Sequence, residues 1–509
     1  MSFRLSLFLA GCWTAVACQN PPATYDLIIR NGIVYDGSGA EGIRTDIGIR
    51  NDTIAFIGDL SAAKAGTVVD AEGKAVTPGF IDTHSHHGSN PFRNRESIAV
   101  LSQGITSILI GQDGGSHFPL AEFYRKLKDT AVAVNIGSYS GHNTIRDAVL
   151  GKNFKRKASA EELKKMKALL QEDMDAGALG FSTGLEYDPG IYSGGEEVLE
   201  LSKTAAALGG RYISHIRSED RYFWKAIDEI IRIGKETGMP VQISHVKLAM
   251  HHIWGQADSL TGILDQARKD GVQITADIYP YDFWHSTIRV LFPDRNFSDL
   301  REASLILKEI TLPENIILAA YELNPAYEGL TLAQIAAKEN KPAPQMLTEL
   351  IARIEAWEKE KGRECRESIM ATSMDETDIR KLMNWSYTNI CSDGSSTGRH
   401  PRGYGAFTRV LGHYVREEKV LPFATAIYKM TGLAAANTGL YKRGLLRPGY
   451  YADIVMLDPQ TITDKATVQH PHELSEGIEK VWVNGQPVYE SKKATGRYPG
   501  MILTRQKNK

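Results

Sequence analysis

Apolar runs that each end in a polar residue recur through the middle of the chain, and they constrain the fold more than any other feature. Eight of them read as β-strands: VTPGFIDTHSH, GITSILIG, VAVNIGSY, ALGFSTGL, RYISHI, VQISHV, VQITADIYPY and YTNICSD. Helix-like segments separate most of these runs. Strand and helix alternating in this way predict parallel βα units, and eight units predict an α/β fold with a closed, TIM-like (β/α)8 barrel.

One of the intervening helices is well marked at both ends. Ser159 and Glu162 have the spacing of a capping box, and Gly177 is a suitable stop signal. The apolar stripe between them has helical spacing and consists of Leu163, Met166, Leu170 and Met174.

The two ends of the chain predict a separate β-structure. Segments near the N-terminus, such as YDLIIRNGIVYDG, alternate apolar and polar residues around Asn-Gly or Asp-Gly turns. The segment EKVWVNGQPVY near the C-terminus has the same alternation around an Asn-Gly turn. We expect residues 24–75 and 440–500 to build one small β-sandwich beside a barrel at 76–439. Residues from about 296 to 367, rich in Leu, Ala, Glu and Lys, predict a mostly helical insertion before the last barrel strand, placed to act as a lid.

Composition narrows the classes of partner. The 509 residues are 42% hydrophobic and carry a formal charge of −2, which is typical of a globular protein with a large core. Basic residues are neither in excess nor clustered, so nucleic acid is not an expected partner. The polar residues at the strand ends predict a small-molecule substrate. The sequence does not predict an oligomeric state.

The first residues predict export. MSFRLSLFLAGCWTAVAC has an arginine, a short apolar stretch and small residues before a cysteine, so residues 1–18 read as a leader outside the fold. Cys18 or Cys12 would receive a lipid, which predicts a membrane-anchored lipoprotein; a plain secretory signal with a periplasmic product is the alternative. The remaining cysteines, Cys365 and Cys391, are expected to be packed thiols and not a disulfide framework.

Polar residues at the strand ends form the candidate active site, because a (β/α)8 barrel brings the carboxyl ends of its strands to one rim. They are His84 and His86 after the first strand, Asp113 after the second, His215 and His245 at the fifth and sixth, and Asp393 at the eighth. Histidines two positions apart on a strand point to the same side, so His84 and His86 can reach one ion while His87 points away. Imidazoles and carboxylates are ligands that Zn²⁺ accepts, and either one or two divalent ions would fit. Glu186 is a further candidate, as a bridging carboxylate or as a salt-bridge partner.

A set of motifs in a fixed order then resembles a known family. PGFIDTHSH, ISHIRSE, ISHVK, ICSDG and LLRPGYYADIVMLDP are similar to the amidohydrolase superfamily. The narrower resemblance is to its N-acyl-D-amino-acid deacylases, and it rests on GHNTIRDAVLG, GALGFSTGLEYDPG, DIYPY, HPRGYGAF and TGLAAANTGLYKRGLL. It covers nearly the whole chain after the leader.

The resemblance implies roles for individual residues. His84, His86, His215 and His245 match the family's metal ligands, and Asp393 matches its catalytic aspartate. The chain departs from the family at Gly111-Gln112-Asp113-Gly114, where better-known members have a metal-bridging cysteine. A carboxylate is a harder ligand than a thiolate, so Asp113 leaves the number and identity of the ions open.

The implied reaction is metal-assisted hydrolysis of the amide of an N-acyl-D-amino acid, with Asp393 moving a proton from water to the departing amine. The resemblance implies that Lys247, Tyr281 and Ser286 hold the substrate carboxylate, and Arg402 and His142 are weaker candidates for the site. Tyr279, Phe283 and Trp284 are candidates for an apolar pocket, whereas an acidic substrate side chain would need a cation, for which Arg289 is the candidate.

Three other functions remain possible at this stage. The first is a dipeptidase acting before a C-terminal D-residue. The second is a cyclic-amide hydrolase, against which the absence of a lysine in ALGFSTGL counts, because such enzymes often carbamylate a lysine there. The third is a surface lipoprotein that binds a ligand or a metal without turnover, in which Asp393 would have no catalytic role.

Overall fold

The computed structural model describes residues 24–506, so the predicted leader with Cys12 and Cys18 lies outside the described residues. In chain order the strands are β1 (Thr24–Val34), β2 (Ile43–Arg50), β3 (Thr53–Gly58), β4 (Lys64–Asp70), β5 (Ala75–Pro78), β6 (Phe80–Asp82), β7 (Ile105–Ile110), β8 (Asn135–Ser138), β9 (Ser140–Gly141), β10 (Gly180–Gly184), β11 (Arg211–His215), β12 (Val241–Ile243), β13 (Ile274–Ile278), β14 (Phe283–Ser286), β15 (Ile316–Tyr321), β16 (Glu367–Thr372), β17 (Thr388–Ile390), β18 (Ile454–Leu457), β19 (Ile478–Val483), β20 (Gln486–Glu490), β21 (Lys493–Ala494) and β22 (Ile502–Leu503).

The helices lie mainly between the barrel strands and in the insertion. They are α1 (Ile98–Leu101), α2 (Leu120–Asp129), α3 (His142–Leu150), α4 (Ala160–Ala176), α5 (Gly195–Ala207), α6 (Phe223–Thr237), α7 (Ala257–Lys269), α8 (Leu300–Glu309), α9 (Leu332–Lys338), α10 (Ala343–Lys361), α11 (Glu376–Asn384), α12 (Arg402–Arg409), α13 (Phe423–Met430) and α14 (Gly432–Thr438). Within residues 24–506, no helix combines the length and the apolar character needed to cross a membrane.

Eight parallel strands form the predicted barrel. One sheet contains β6, β7 and β8, and a second runs from β10 through β11, β12 and β13 to β17. Ser85 and Gly394 form a parallel bridge that joins the last strand to the first, and the Leu179 amide donates to the Ser138 carbonyl (2.9 Å) across the other seam. The main apolar core extends through the barrel strands, the surrounding helices and the insertion, and it consists largely of Ile, Leu, Val and Ala.

The predicted helix appears as α4. Ser159 and Glu162 form the capping box, and Gly177 ends the helix at φ 109°, a backbone conformation that glycine adopts without steric cost. Met166, Leu170 and Met174 are buried beneath the barrel wall.

Both ends of the chain contribute to one nine-stranded sheet. Its order is β21-β20-β19-β18-β5-β1-β2-β3, with β4 paired to β1. A buried network connects this sheet to the barrel: Asp453 accepts from Arg443, from the Asn484 amide (2.8 Å) and from the Asn135 side chain (3.1 Å) of β8. Beyond it, β22 pairs with β8, a contact that the sequence analysis did not predict.

The insertion contains the predicted helices and also a small sheet. α8, α9 and α10 pack around the antiparallel sheet β14-β16-β15. The strands IILAAY and ESIMAT are short and lie between helices. The Leu-, Ala- and Glu-rich composition around them predicts helix, so this sheet was not predicted. Cys365 and Cys391 are free thiols, and Cys391 is buried.

Candidate active site

The six predicted strand-end residues meet at the carboxyl-terminal rim of the barrel. β6 ends at Asp82, so His84 and His86 lie just beyond the strand and not within it, yet their Nε2 atoms face the same carboxylates. Asp113 follows β7, His215 ends β11, His245 follows β12 and Asp393 follows β17. His84, His215 and His245 are at most 2% exposed, which buries the imidazoles deep in the rim.

His84, His86, Asp113 and Asp393 form a first group of ligand atoms. His86 Nε2 lies 3.2 Å from both Asp113 Oδ2 and Asp393 Oδ1. His84 Nε2 lies 3.4 Å from Asp113 Oδ1 and 3.6 Å from Asp393 Oδ1.

Asp113, His215 and His245 form a second group, which shares Asp113 with the first. His245 Nε2 lies 3.4 Å from Asp113 Oδ1 and 3.1 Å from His215 Nδ1. The carboxylate of Asp113 therefore stands between two pairs of imidazoles.

These spacings fit a divalent cation. Ligand atoms bound tetrahedrally to one zinc ion at about 2.0–2.2 Å lie about 3.3–3.6 Å apart, which is close to the observed distances. Asp113 Oδ1 and His84 Nδ1 are buried and, among the described residues, have no hydrogen-bond partner. A buried carboxylate oxygen without a donor is costly, and a cation would satisfy it.

The electrostatics of the rim favour added positive charge. Burial acts to lower the pKa of His86, but Asp113 and Asp393 outweigh it and raise the pKa to about 10. Burial acts to raise the pKa of Asp113, but the imidazoles of His84, His245 and His86 hold it well below its usual range. Protons supply the compensating charge in the metal-free protein, and a divalent cation would replace them.

Two glutamates orient the second pair of imidazoles. Glu219 Oε1 and Lys247 Nζ lie 3.0 Å and 2.7 Å from His245 Nδ1, which leaves His245 Nε2 facing the ligand group. Glu186 Oε2 accepts from His215 Nε2 (2.8 Å), which leaves His215 Nδ1 facing it. Carboxylates on the far nitrogen of metal-binding histidines fix the ring tautomer and raise its basicity.

Two uses of Glu186 were predicted, as a bridging carboxylate or as a surface salt-bridge partner, and Glu186 Oε2 does pair with His215 Nε2 (2.8 Å). Glu186 is neither between the two groups nor at the surface, but behind His215. Glu219 was missed, although it lies four residues after His215 in the quoted ISHIRSE motif. Tyr187 was also missed; its hydroxyl lies 3.3 Å from His215 Nδ1.

Sharp turns place three of the candidate ligands. Asp113 (φ 53°), His245 (φ 34°) and Asp393 (φ 48°) all have left-handed backbone conformations directly after their strands. Such conformations carry a steric cost for residues other than glycine, and they cluster at functional sites because surrounding contacts hold them in place.

A cavity of about 910 Å³, including its open mouth, lies between the ligand groups and the insertion. Two cationic side chains face it beside Tyr279. Arg402 Nη1 lies 2.7 Å from Asp393 Oδ2, and its guanidinium carbon lies 4.7 Å from the Tyr279 ring centroid. Lys247 Nζ donates to Glu219 Oε1 (2.6 Å) and lies 5.7 Å from the same centroid. Ser286, a predicted substrate-binding residue, lines the cavity from β14.

Three predicted substrate or site residues lie elsewhere. Tyr281 does not line the cavity; it is buried against Phe283 and beneath Arg409, whose guanidinium carbon lies 5.0 Å from its ring centroid. Tyr279, two residues earlier, lines the cavity where Tyr281 was expected. Tyr279 follows β13 directly, whereas Tyr281 lies three residues beyond the strand end.

Arg289 and His142 are engaged in structural contacts. Arg289 Nη2 and Nη1 donate to the Glu358 carboxylate of α10 (2.6 and 3.3 Å), which turns the guanidinium away from the cavity lining. His142 Nε2 lies 2.9 Å from Glu197 Oε1, a carboxylate that also accepts from Arg146 (2.6 Å). Neither side chain reaches the ligand groups.

Comparison with known proteins agrees with this geometry. A model of the amidohydrolase family matches residues 67–381 and 388–489. The D-aminoacylase of Alcaligenes xylosoxydans xylosoxydans is 35% identical over 96% of this chain and 99% of its own length. The N-acyl-D-glutamate deacylase of the same organism is also 35% identical, over 94% of this chain and 96% of its own length.

A solved structure extends the likeness to three dimensions. The N-acyl-D-glutamate deacylase of Bordetella bronchiseptica, complexed with zinc and a phosphonate mimic of the tetrahedral intermediate, superposes with a TM-score of 0.84. It is 31% identical and covers 95% of this chain and 100% of its own. From the family match and the near-complete coverage of these relatives, we conclude that the chain belongs to the amidohydrolase family.

Proposed function

We propose that this protein hydrolyses the amide bond of N-acyl-D-amino acids and releases a carboxylic acid and a free D-amino acid. One observation carries the proposal: two groups of metal-ligand atoms share Asp113 at the floor of a cavity that also presents Arg402 and Lys247. The named activities of the D-aminoacylase and the N-acyl-D-glutamate deacylase support the substrate class.

The two groups would hold one or two zinc ions. His84, His86 and Asp393 would bind on one side of Asp113, and His215 and His245 on the other. Zinc held by these residues would polarise the amide carbonyl and would lower the pKa of a bound water to about 7. The zinc in the related deacylase structure supports this choice of metal.

Asp393 moves the proton. Burial acts to raise the pKa of Asp393, but Arg402 and His84 hold it well below its usual range, so the carboxylate is ionised before the reaction. An ionised carboxylate at the floor of the cavity can accept a proton from the attacking water. It then returns the proton to the departing nitrogen, because an amide anion is a very poor leaving group.

Arg402, Tyr279 and Lys247 would bind the substrate carboxylate. The Tyr279 hydroxyl is buried and has no hydrogen-bond partner among residues 24–506, whereas Arg402 Nη1 already pairs with Asp393 Oδ2 (2.7 Å). Burial is the largest cause of a Tyr279 pKa well above 10, so this hydroxyl is a neutral donor. A buried hydroxyl donor without an acceptor, beside the cationic side chains of Lys247 and Arg402, favours an anionic ligand at this point.

We expect Asp393→Asn to lower kcat for N-acetyl-D-amino acids by at least about a hundredfold, because proton transfer contributes about 10²–10⁴ to such reactions. Zinc content measured by elemental analysis should fall by at most one ion, since His215, His245 and Asp113 remain. Asp378→Asn is the matched control: this buried carboxylate accepts from the Gly255 and Ala257 amides and lies away from the cavity. Undiminished turnover in Asp393→Asn with zinc bound would exclude the role of Asp393.

Tyr279→Phe and Tyr281→Phe form a second, paired test. Loss of the Tyr279 hydroxyl should raise KM by about 10–100-fold, since a hydrogen bond to a charged group contributes about 1.5–3 kcal/mol. Tyr281→Phe should change KM less than threefold, because its hydroxyl does not line the cavity. Steady-state kinetics with an N-acetyl-D-amino acid measures both, and the reverse order would place the carboxylate site elsewhere.

Export and lipid attachment form a separate proposal. Its support is the leader pattern of residues 1–18, with small residues before Cys12 and Cys18. Labelled palmitate supplied to expressing cells should enter the wild-type protein and should be lost in Cys18→Ala or in Cys12→Ala. A cleaved product without label would instead indicate a plain secretory signal.

A further inference from the structure

Part of the cavity wall is apolar, and four of its five residues come from β14 or from the segments that flank α8. This apolar wall consists of Ala249, Trp284, Val290, Leu291 and Ile310. Trp284 Nε1 donates to Ser373 Oγ (2.7 Å), so the indole has its polar atom satisfied and offers its ring to the cavity. Leu291 and Ile310 are at most 3% exposed, and a ligand group placed here would contact hydrocarbon.

The cations near this wall are already paired. Arg289 binds Glu358, and Arg295 binds Asp188 (3.1 Å) and the Glu186 carbonyl, so neither guanidinium lines the cavity. Lys247 and Arg402 are the two Lys or Arg side chains in the cavity lining within residues 24–506, and the substrate carboxylate would engage them.

The other titratable groups in the lining disfavour an anion. His285 lines the cavity, and burial followed by Arg402 lowers its pKa to about 4, which keeps it neutral at physiological pH. Glu186, Glu219 and Asp220 add carboxylates to the same lining. A second carboxylate on the substrate would therefore be desolvated beside hydrocarbon and like charge.

We propose that the apolar wall receives the side chain of the D-amino acid and selects apolar side chains, such as those of leucine or methionine, over glutamate and aspartate. This inference rests on the proposed deacylase function. Sequence identity does not distinguish apolar from acidic side chains, because the D-aminoacylase and the N-acyl-D-glutamate deacylase are both 35% identical to this chain.

The test is kcat/KM of the zinc-loaded protein for N-acetyl-D-leucine, N-acetyl-D-methionine, N-acetyl-D-glutamate and N-acetyl-D-aspartate. We expect both apolar substrates to exceed both acidic ones by at least about a hundredfold. Equal or greater activity on an acidic substrate would overturn the selectivity and leave the deacylase function in place. No hydrolysis of any of the four would overturn the deacylase function and this inference with it.

Val290 allows a matched pair of variants, since it is only half-buried. Val290→Arg places a cation in the apolar wall and should raise the glutamate-to-leucine ratio of kcat/KM at least about tenfold. Val290→Met lengthens the side chain without charge and should leave that ratio within threefold of wild type. A ratio that is unchanged in Val290→Arg would place the substrate side chain away from this wall.

A second and independent observation concerns a buried carboxylate below the ligand groups. Asp277 of β13 is fully buried, and its Oδ1 accepts from the His245 amide (2.6 Å). Its carboxylate also accepts from Gln242 Nε2 (2.5 Å), Thr83 Oγ1 (3.2 Å) and Cys391 Sγ (3.3 Å). These donors come from β12 or from segments at the ends of β6, β12 and β17, beside His84, His245 and Asp393.

We infer that Asp277 is a positioning residue for the metal site. The left-handed turn at His245 needs an acceptor for its amide, and Asp277 supplies it while joining the three strand ends. Asp277 does not itself belong to either ligand group.

Asp277→Asn should weaken zinc binding by about 10–100-fold, the usual cost of losing a group that supports metal ligands. Titration of the metal-free protein with zinc measures this directly, without reference to activity. Asp173→Asn is the control, because Asp173 is also buried and accepts from Leu120 N (3.0 Å) and Ser140 Oγ (2.7 Å) outside the ligand groups.

Both variants should lower the Tm of the metal-free protein to a similar extent, and only Asp277→Asn should lose zinc affinity. Equal zinc affinity in the two variants would reduce Asp277 to a structural role. If Asp277→Asn does not fold, Thr83→Val removes one of its donors and should still weaken zinc binding at least threefold; unchanged binding in that variant would overturn the inference.

Discussion

Charge compensation at the carboxyl-terminal rim of the barrel is the condition on which the rest of the site depends. Asp113 and Asp393 are buried among imidazoles, and neither carboxylate could remain ionised there without adjacent positive charge. His86 and His245, each with a pKa raised to about 10, supply that charge as protons in the metal-free protein. The same arrangement stabilises a divalent cation, and this explains why deeply buried polar groups are tolerated in the barrel rim.

The barrel meets this condition by closing on itself. The bridge between Ser85 and Gly394 brings the segments that carry His84 and Asp393 side by side, although they are more than 300 positions apart in the chain. Left-handed turns then aim the side chains inward. Glu186 and Glu219 set the orientation of the rings, so the geometry depends on residues behind the ligands as well as on the ligands.

The insertion determines what enters the site. It and β14 contribute most of the apolar wall, whereas Arg402 and Lys247 come from segments after barrel strands. The pairing of Arg289 with Glu358 removes the one cation that the sequence had offered for an acidic side chain. The proposed selectivity for apolar side chains therefore depends on an ion pair outside the cavity.

The sequence by itself determined the fold class and the six residues of the two ligand groups, because strand periodicity and a polar residue at each strand end are local patterns. Only the tertiary structure decided that Tyr279 and not Tyr281 faces the cavity, that Arg289 is sequestered, and that Glu219 stands behind His245. The short strands of the insertion were hidden by the helical composition around them. The physical reason is the same in each case: a local pattern fixes backbone conformation, whereas the partner of a charged or aromatic side chain is set by distant segments that only the folded chain brings within contact.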